Sequence, residues 1–295
     1  MNLTPDSKVL IQGFSEFISA THVAQMKAYG TNLVAGVSPG YGGQQLFDLP
    51  VFDLVEEVVA NYGQIDTTII SVHPYQVLDA ALEAIASNIR QIIIISPGVP
   101  PLDMVQLLRT AETTETLVVG PNSPGIIVPG KILLGTQPSE FYLPGLVGIV
   151  SRSSTLTYEI AWELTKANLG QSTSVSIGSD AIVGSSFLQW LQILDEDEKT
   201  QAIVLVGQPG GGSEEAAARY IAEAIDKPVI AYIAGTQTPA AKNWRQTGTL
   251  AAVLGRNPDF GTAQSKLAAF AEANVTVAER PSLIPELVKK ALKLK

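Results

Sequence analysis

Apolar positions along the chain follow two alternating rhythms. Short runs rich in Val and Ile, such as KVLIQG, TTIISV and QIIIIS, read as buried strands. Between them lie stretches whose apolar positions recur every three or four residues: THVAQMKAYG (closed by Gly30), DLVEEVVANY, VLDAALEAIAS and PLDMVQLLRTAE. NLVAGVSPG and TLVVGPNSPG complete the first set as strands running into turns. Strand–helix alternation of this kind predicts a parallel, doubly wound α/β sheet.

The segment GIIVPGKILLGTQPSEFYLPG, dense in Gly and Pro, breaks the rhythm. It divides the expected architecture into a Rossmann-like domain over 1–130, a linker over 131–145 and a flavodoxin-like domain over 146–295. In the second part GLVGIVS, STSVSIGS, AIVLVG and KPVIAYIAG read as strands. LTYEIAWELTKANLG, SSFLQWLQILDED and SEEAAARYIAEAID read as helices, and AAKNWRQTG interrupts before the C-terminal helices. Ligands are expected at the carboxyl ends of such strands.

Composition narrows the function. Hydrophobic residues make up 46% and charged residues 16% of 295 residues, which suits sheets covered on both faces. A net charge of −9 without a basic stripe argues against nucleic-acid binding; VKKALKLK reads as the lysine-rich end of a last helix. There is no cysteine, hence no disulfide or thiolate chemistry. The apolar runs are strand-length, too short to insert in a membrane, and MNLTPDSK has no signal-peptide pattern. A cytoplasmic location is expected. The spacing of Asp, Glu and His suggests no metal site; Glu56, Glu57 and the DEDEK run read as solvated helix ends and loops.

Two turns carry the candidate chemistry. LVGIVSRSSTLTYE runs a strand into Ser151, Arg152, Ser153, Ser154 and Thr155 and then opens a helix. A helix start of this kind favours phosphate, although the same residues also serve as caps. VLVGQPGGG makes a second strand-to-Gly turn ahead of SEEAAARYIAEAI, and two such turns could face one charged group. The only histidines, His22 and His73, lie in the first quarter, where capping or surface roles are expected. Trp190 in FLQWLQIL reads as core or interface.

The blocks QGF, AYGTNLVAGVSPG, LPVFD, PPLDM, GPNSPG, PGLVGIVSRS, SRSSTLTYE and KPVIAYIAG, in this order, resemble the alpha subunit of succinate–CoA ligase across essentially the whole chain. The resemblance implies an N-terminal CoA-binding domain, a flavodoxin-like second domain and a beta subunit carrying an ATP-grasp nucleotide site. It also implies a phosphorylated histidine that shuttles phosphate. Gln246 stands at that histidine's position and Gln208 at the Glu that orients it. A carboxamide is no substitute for imidazole as a nucleophile.

The implied CoA site is altered as well. Its first loop here is Gly13, Phe14, Ser15, Glu16, Phe17, Ile18, Ser19. Glu16 and Ser19 replace glycines, and a carboxylate at roughly 4 Å from a phosphate costs about 1–4 kcal/mol in watery or partly screened surroundings. Tyr41 replaces a lysine, Ser96–Pro97 an acidic turn, and Ser123 beside Asn122 a cysteine. Ser154 replaces a glycine of the phosphate turn; Ser179 and Ala181 replace a Gly and a Pro.

The expectation is a catalytically silent relative that binds CoA weakly and acts as a structural or regulatory partner. It would dock a beta-like subunit or a larger complex, or form a homo-oligomer. Two alternatives remain open. One is an active acid–CoA ligase subunit working with a nucleotide-binding beta subunit. The other is a CoA or nucleotide sensor, with Tyr41 and Phe17 stacking on a base.

Overall fold

The computed structural model describes residues 3–13, 18–236 and 261–294. The chain divides into two units, Met1–Ser139 with Ile182–Ser185, and Glu140–Ala181 with Ser186–Lys295.

In the first unit, strands β1 (Lys8–Gln12), β2 (Asn32–Val37), β3 (Gln45–Leu46), β4 (Leu49–Phe52), β5 (Thr67–Ile70), β6 (Gln91–Ile94) and β7 (Leu117–Val119) form one sheet. Its order is β3-β4-β2-β1-β5-β6-β7. Every pairing is parallel except the edge pair β3–β4. Without β3 this is the 3-2-1-4-5-6 order of a dinucleotide-binding fold, whose switch point lies beside the first strand. Helices α1 (Ala20–Ala28), α2 (Val55–Tyr62), α3 (Val77–Ala86) and α4 (Pro101–Thr113) connect the strands. Leu10, Ile70, Ile92 and Ile94 of the sheet pack with Val58, Ala81, Ile85 and Leu107 of three helices in one buried cluster. Near-continuous Val and Ile in the strands is what burial of both sheet faces requires.

Within 131–145, assigned above to a linker, Ile132–Gly135 form strand β9, antiparallel to β8 (Gly125–Val128). Both strands are buried. The hairpin, with Pro129 and Gly130 at its turn, was hidden by the same Gly and Pro that suggested irregular chain. β3 and β4 form a further short antiparallel pair that the strand–helix pattern does not show.

The second unit is built on β10 (Pro144–Ser151), β11 (Gln171–Ser176), β12 (Ala202–Gly207), β13 (Val229–Ile233) and β14 (Thr276–Ala278). They are parallel and ordered β14-β13-β12-β10-β11. Counted from the unit's own first strand this is 2-1-3-4-5, the flavodoxin-like order. Its helices are α5 (Ser154–Lys166), α6 (Phe187–Glu196), α7 (Ser213–Ala224), α8 (Ala263–Glu272) and α9 (Ile284–Ala291). In α6, Phe187, Trp190, Leu191 and Leu194 are buried at i, i+3, i+4 and i+7, so Trp190 belongs to the core. A Cβ on Gly148 of β10 would sit 2.8 Å from a Leu194 methyl, so the glycine lets α6 lie close on the sheet.

No helix among the described residues is long and apolar enough to cross a membrane.

Candidate functional site

At the carboxyl ends of the first sheet, backbone bonds gather several of the expected residues. Gly13, in a left-handed conformation (φ 82°), donates its N–H to Val37 O at 2.8 Å. A Cβ there would lie 2.6 Å from Val72 Cγ1 and 2.8 Å from Ser71 O, so only glycine fits this turn. Ser96 is fully buried and its hydroxyl donates to Val72 O at 2.5 Å, while Asn122 N donates to Ser96 O at 3.0 Å. Asn122 is also left-handed (φ 57°). The Ser123 hydroxyl accepts from Gly125 N at 2.9 Å, a turn-closing bond.

Pro97 is half-buried and Gly98 exposed on the loop after β6. Ile18 is buried, and Ser19 is the N-cap of α1, its N–H donating to His22 Nδ1 at 3.2 Å. Burial holds the His22 pKa below its ordinary value. Tyr41 is exposed on the turn after β2. His73 stacks on Tyr75, ring centroids 5.5 Å apart, at the end of β5. Phe14, Ser15, Glu16 and Phe17 lie outside the described residues, as does Gln246.

The two strand–helix turns of the second unit differ in kind. At β10–α5, Ser153 is the N-cap and its hydroxyl accepts from Leu156 N at 3.5 Å. Ser151 Oγ accepts from Ser153 N at 3.0 Å and donates to Ser153 O at 2.9 Å. The first turn of α5 contains no acidic residue. The amides of Ser154 and Thr155, at N1 and N2, have no intrahelical acceptor and point their positive end outward. Because the cap bond is long, Ser153→Ala is expected to cost only about 0.5–1 kcal/mol, measured by urea denaturation.

At β12–α7 the helix start is answered from inside the protein. Glu214 and Glu215 occupy the first turn of α7 and are both buried. Glu214 Oε1 accepts from Gln208 N at 3.1 Å and from Arg152 Nη1 at 3.4 Å. Glu214 Oε2 accepts from Lys266 Nζ at 2.5 Å and from the Ser213 hydroxyl at 3.0 Å. Lys266, on α8 and fully buried, also donates to Glu215 Oε2 at 2.9 Å and to Gly211 O at 2.8 Å. Arg152 Nη1 turns inward, to Gly210 O at 2.9 Å and Ser213 Oγ at 3.3 Å. Two cations thus meet two carboxylates, and the cluster is neutral. The α7 dipole is already complemented by its own glutamates, so of the two turns it is α5 that presents an open helix start.

Gln208 sits at the head of this turn. Its Nε2 is buried and has no acceptor among the described residues. Among those residues there is also no group of His, Cys, Asp and Glu able to hold a metal ion.

Burial pushes the Glu215 carboxyl up, but hydrogen bonds from Lys266 and Ser265, the Lys266 charge and its own amide together bring it below the ordinary 4.5. A carboxyl depressed in the folded state adds stability above its unfolded value, and loses it as pH falls through the folded value. The second unit is therefore expected to weaken as pH drops below 4.5, and less so in Glu215→Gln, as read by thermal melts across pH 3–6.

Sequence reasoning missed this cluster. SEEAAARYIAEAID reads only as a helix, and nothing in its pattern pairs Glu214 and Glu215 with Lys266, some fifty residues on. The available signal was spacing: Ala263, Lys266 and Phe270 share the buried face of α8, a place where a lysine needs partners.

The CoA binding domain family matches residues 4–98 and the CoA-ligase family residues 150–274. The chain is 41% identical over 286 residues to succinate–CoA ligase [ADP-forming] subunit alpha 2 of Archaeoglobus fulgidus, covering 97% of each. It is 40% identical over 291 residues to the alpha subunit of that ligase from Aquifex aeolicus, covering 98% of this chain and 93% of that one. The fold also matches ATP citrate lyase of Methanothrix soehngenii at TM-score 0.86 and 22% identity, over 98% of this chain and 50% of the lyase. With identity at this level along nearly the full length of both proteins, the chain belongs to the family of succinate–CoA ligase alpha subunits.

Proposed function

We propose that this chain works as the alpha-type subunit of an acid–CoA ligase of the succinate–CoA ligase kind, with the nucleotide site on a beta-type partner. The observation that carries the reading is the pairing of both modules in one chain, each with its ligand-facing turns at strand carboxyl ends. CoA would be taken by the first unit. Gly13 fits that group by its place: it closes a tight turn, packed on Ser71 and Val72, at the carboxyl end of the first strand, where such folds take a pyrophosphate. The turns at Ser96 and Asn122 would border the same edge. Tyr41 supplies no positive charge, so CoA affinity is expected to be modest. Ser153, Ser154 and Thr155 would hold a phosphoryl or carboxylate group at the open start of α5.

A second reading rests on one specific observation: the sequence holds no histidine after His73, with Gln208 and Gln246 where the resemblance puts the orienting Glu and the phosphorylated histidine. On it the chain keeps the assembly role, makes no phosphohistidine and serves as a structural or regulatory subunit.

Reconstitution with a beta-type subunit separates the two. Nucleotide, succinate and CoA are added, and thioester and chain-bound phosphate are followed. Thioester production supports the first reading. A stable complex giving neither product supports the second, and Gln246→His combined with Gln208→Glu is then expected to restore acid-labile phosphate on the chain. Failure to form any complex would overturn both.

A further inference from the structure

The glycine turn 208–212 belongs to neither strand nor helix, and Gly210 and Gly211 are left-handed (φ 107° and 63°). Nothing in such a backbone fixes its own shape. Its polar groups are nevertheless held one after another by buried charges: Gln208 N by Glu214, Gly210 O by Arg152 and Gly211 O by Lys266. Gly210 N is held by Gly261 O at 2.8 Å, just before α8. Lys266 joins these tethers, because its ammonium binds the turn and both first-turn carboxylates of α7 at once. At the head of the turn stands the Gln208 carboxamide, its donor without an acceptor among the described residues.

We propose that Lys266, acting through Glu214, is a positioning residue: it sets the conformation of the 208–212 turn and so the placement of the Gln208 side chain toward an anionic or carbonyl acceptor. This rests on the reading above that the turn faces the reacting groups. It goes further in assigning the geometry of that turn to a side chain buried behind it.

The test uses the full chain and its complex with a beta-type subunit. Lys266→Met is expected to speed amide exchange at Gln208 and Gly210, the turn's hydrogen-bonded amides, by about tenfold or more while the β1 and β5 amides of the first unit stay unchanged. In the complex it is expected to lower kcat for thioester formation by about ten- to hundredfold with the KM for CoA altered less than about twofold. Lys266→Arg, which keeps the charge, is expected to recover most of both effects. If Lys266→Met does not fold, Glu215→Gln takes the charge from one of the three lysine bonds and is expected to speed exchange at the same amides by a smaller factor. Exchange unchanged at the turn, or an unchanged kcat in a complex that makes thioester, would overturn the proposal. A wild-type complex without thioester would count against the active-ligase reading alone, since the exchange measurement stands without it.

Discussion

Lys266→Met is expected to destabilise the second unit by about 3 kcal/mol, measured by urea denaturation at neutral pH. Removing one partner of a buried ion pair costs about 3–5 kcal/mol, because a desolvated charge is left unmatched. The lower end applies here. Glu214 keeps Arg152 at 3.4 Å and Glu215 keeps the Ser265 hydroxyl at 2.8 Å when the ammonium is gone. Adding Glu215→Gln to Lys266→Met should return part of the loss, since one of the stranded charges is then removed as well. A surface-like cost of about 0–1 kcal/mol would show that the cluster is hydrated in solution.

Trp190→Ala is expected to cost about 3–5 kcal/mol, by the same measurement. Trp190 is fully buried on the face of α6 that packs against the sheet, among Phe187, Leu191 and Leu194. The close approach of α6 to Gly148 leaves little freedom for the helix to settle into the vacated space. Trp190→Phe should cost less, since most of the apolar volume is kept. A change below about 1 kcal/mol for the alanine variant would mean that α6 slides inward and closes the cavity.

The fold was legible wherever one periodicity held for a whole element. QIIIIS and AIVLVG are buried along their length and read as strands, and strand–helix alternation gave the parallel, doubly wound class of both sheets, though not by itself their strand orders. Three pieces were not legible, each for a local reason. Gln45–Phe52 and Gly125–Gly135 hold antiparallel pairs whose Pro and Gly resemble loop, and Thr276–Ala278 is too short for a pattern to show.

The site divided the same way. Ser153 as a cap and Gly13 as a tight turn follow from residue type and place. The inward course of Arg152 does not, because its partners at Gly210, Ser213 and Glu214 are about sixty residues away in sequence. The identity of Gln208 and Gln246 was plain from sequence, and the structure adds for Gln208 a buried amide donor without an acceptor among the described residues. Gln246 lies outside those residues.

Assembly with a beta-type subunit underlies every functional statement above. Native mass spectrometry of this chain co-expressed with a nucleotide-binding beta-type subunit from the same source tests it most directly. Equal numbers of the two chains in one stable particle is the expected result. The chain appearing only by itself, across the concentrations at which related subunits associate, would contradict the account.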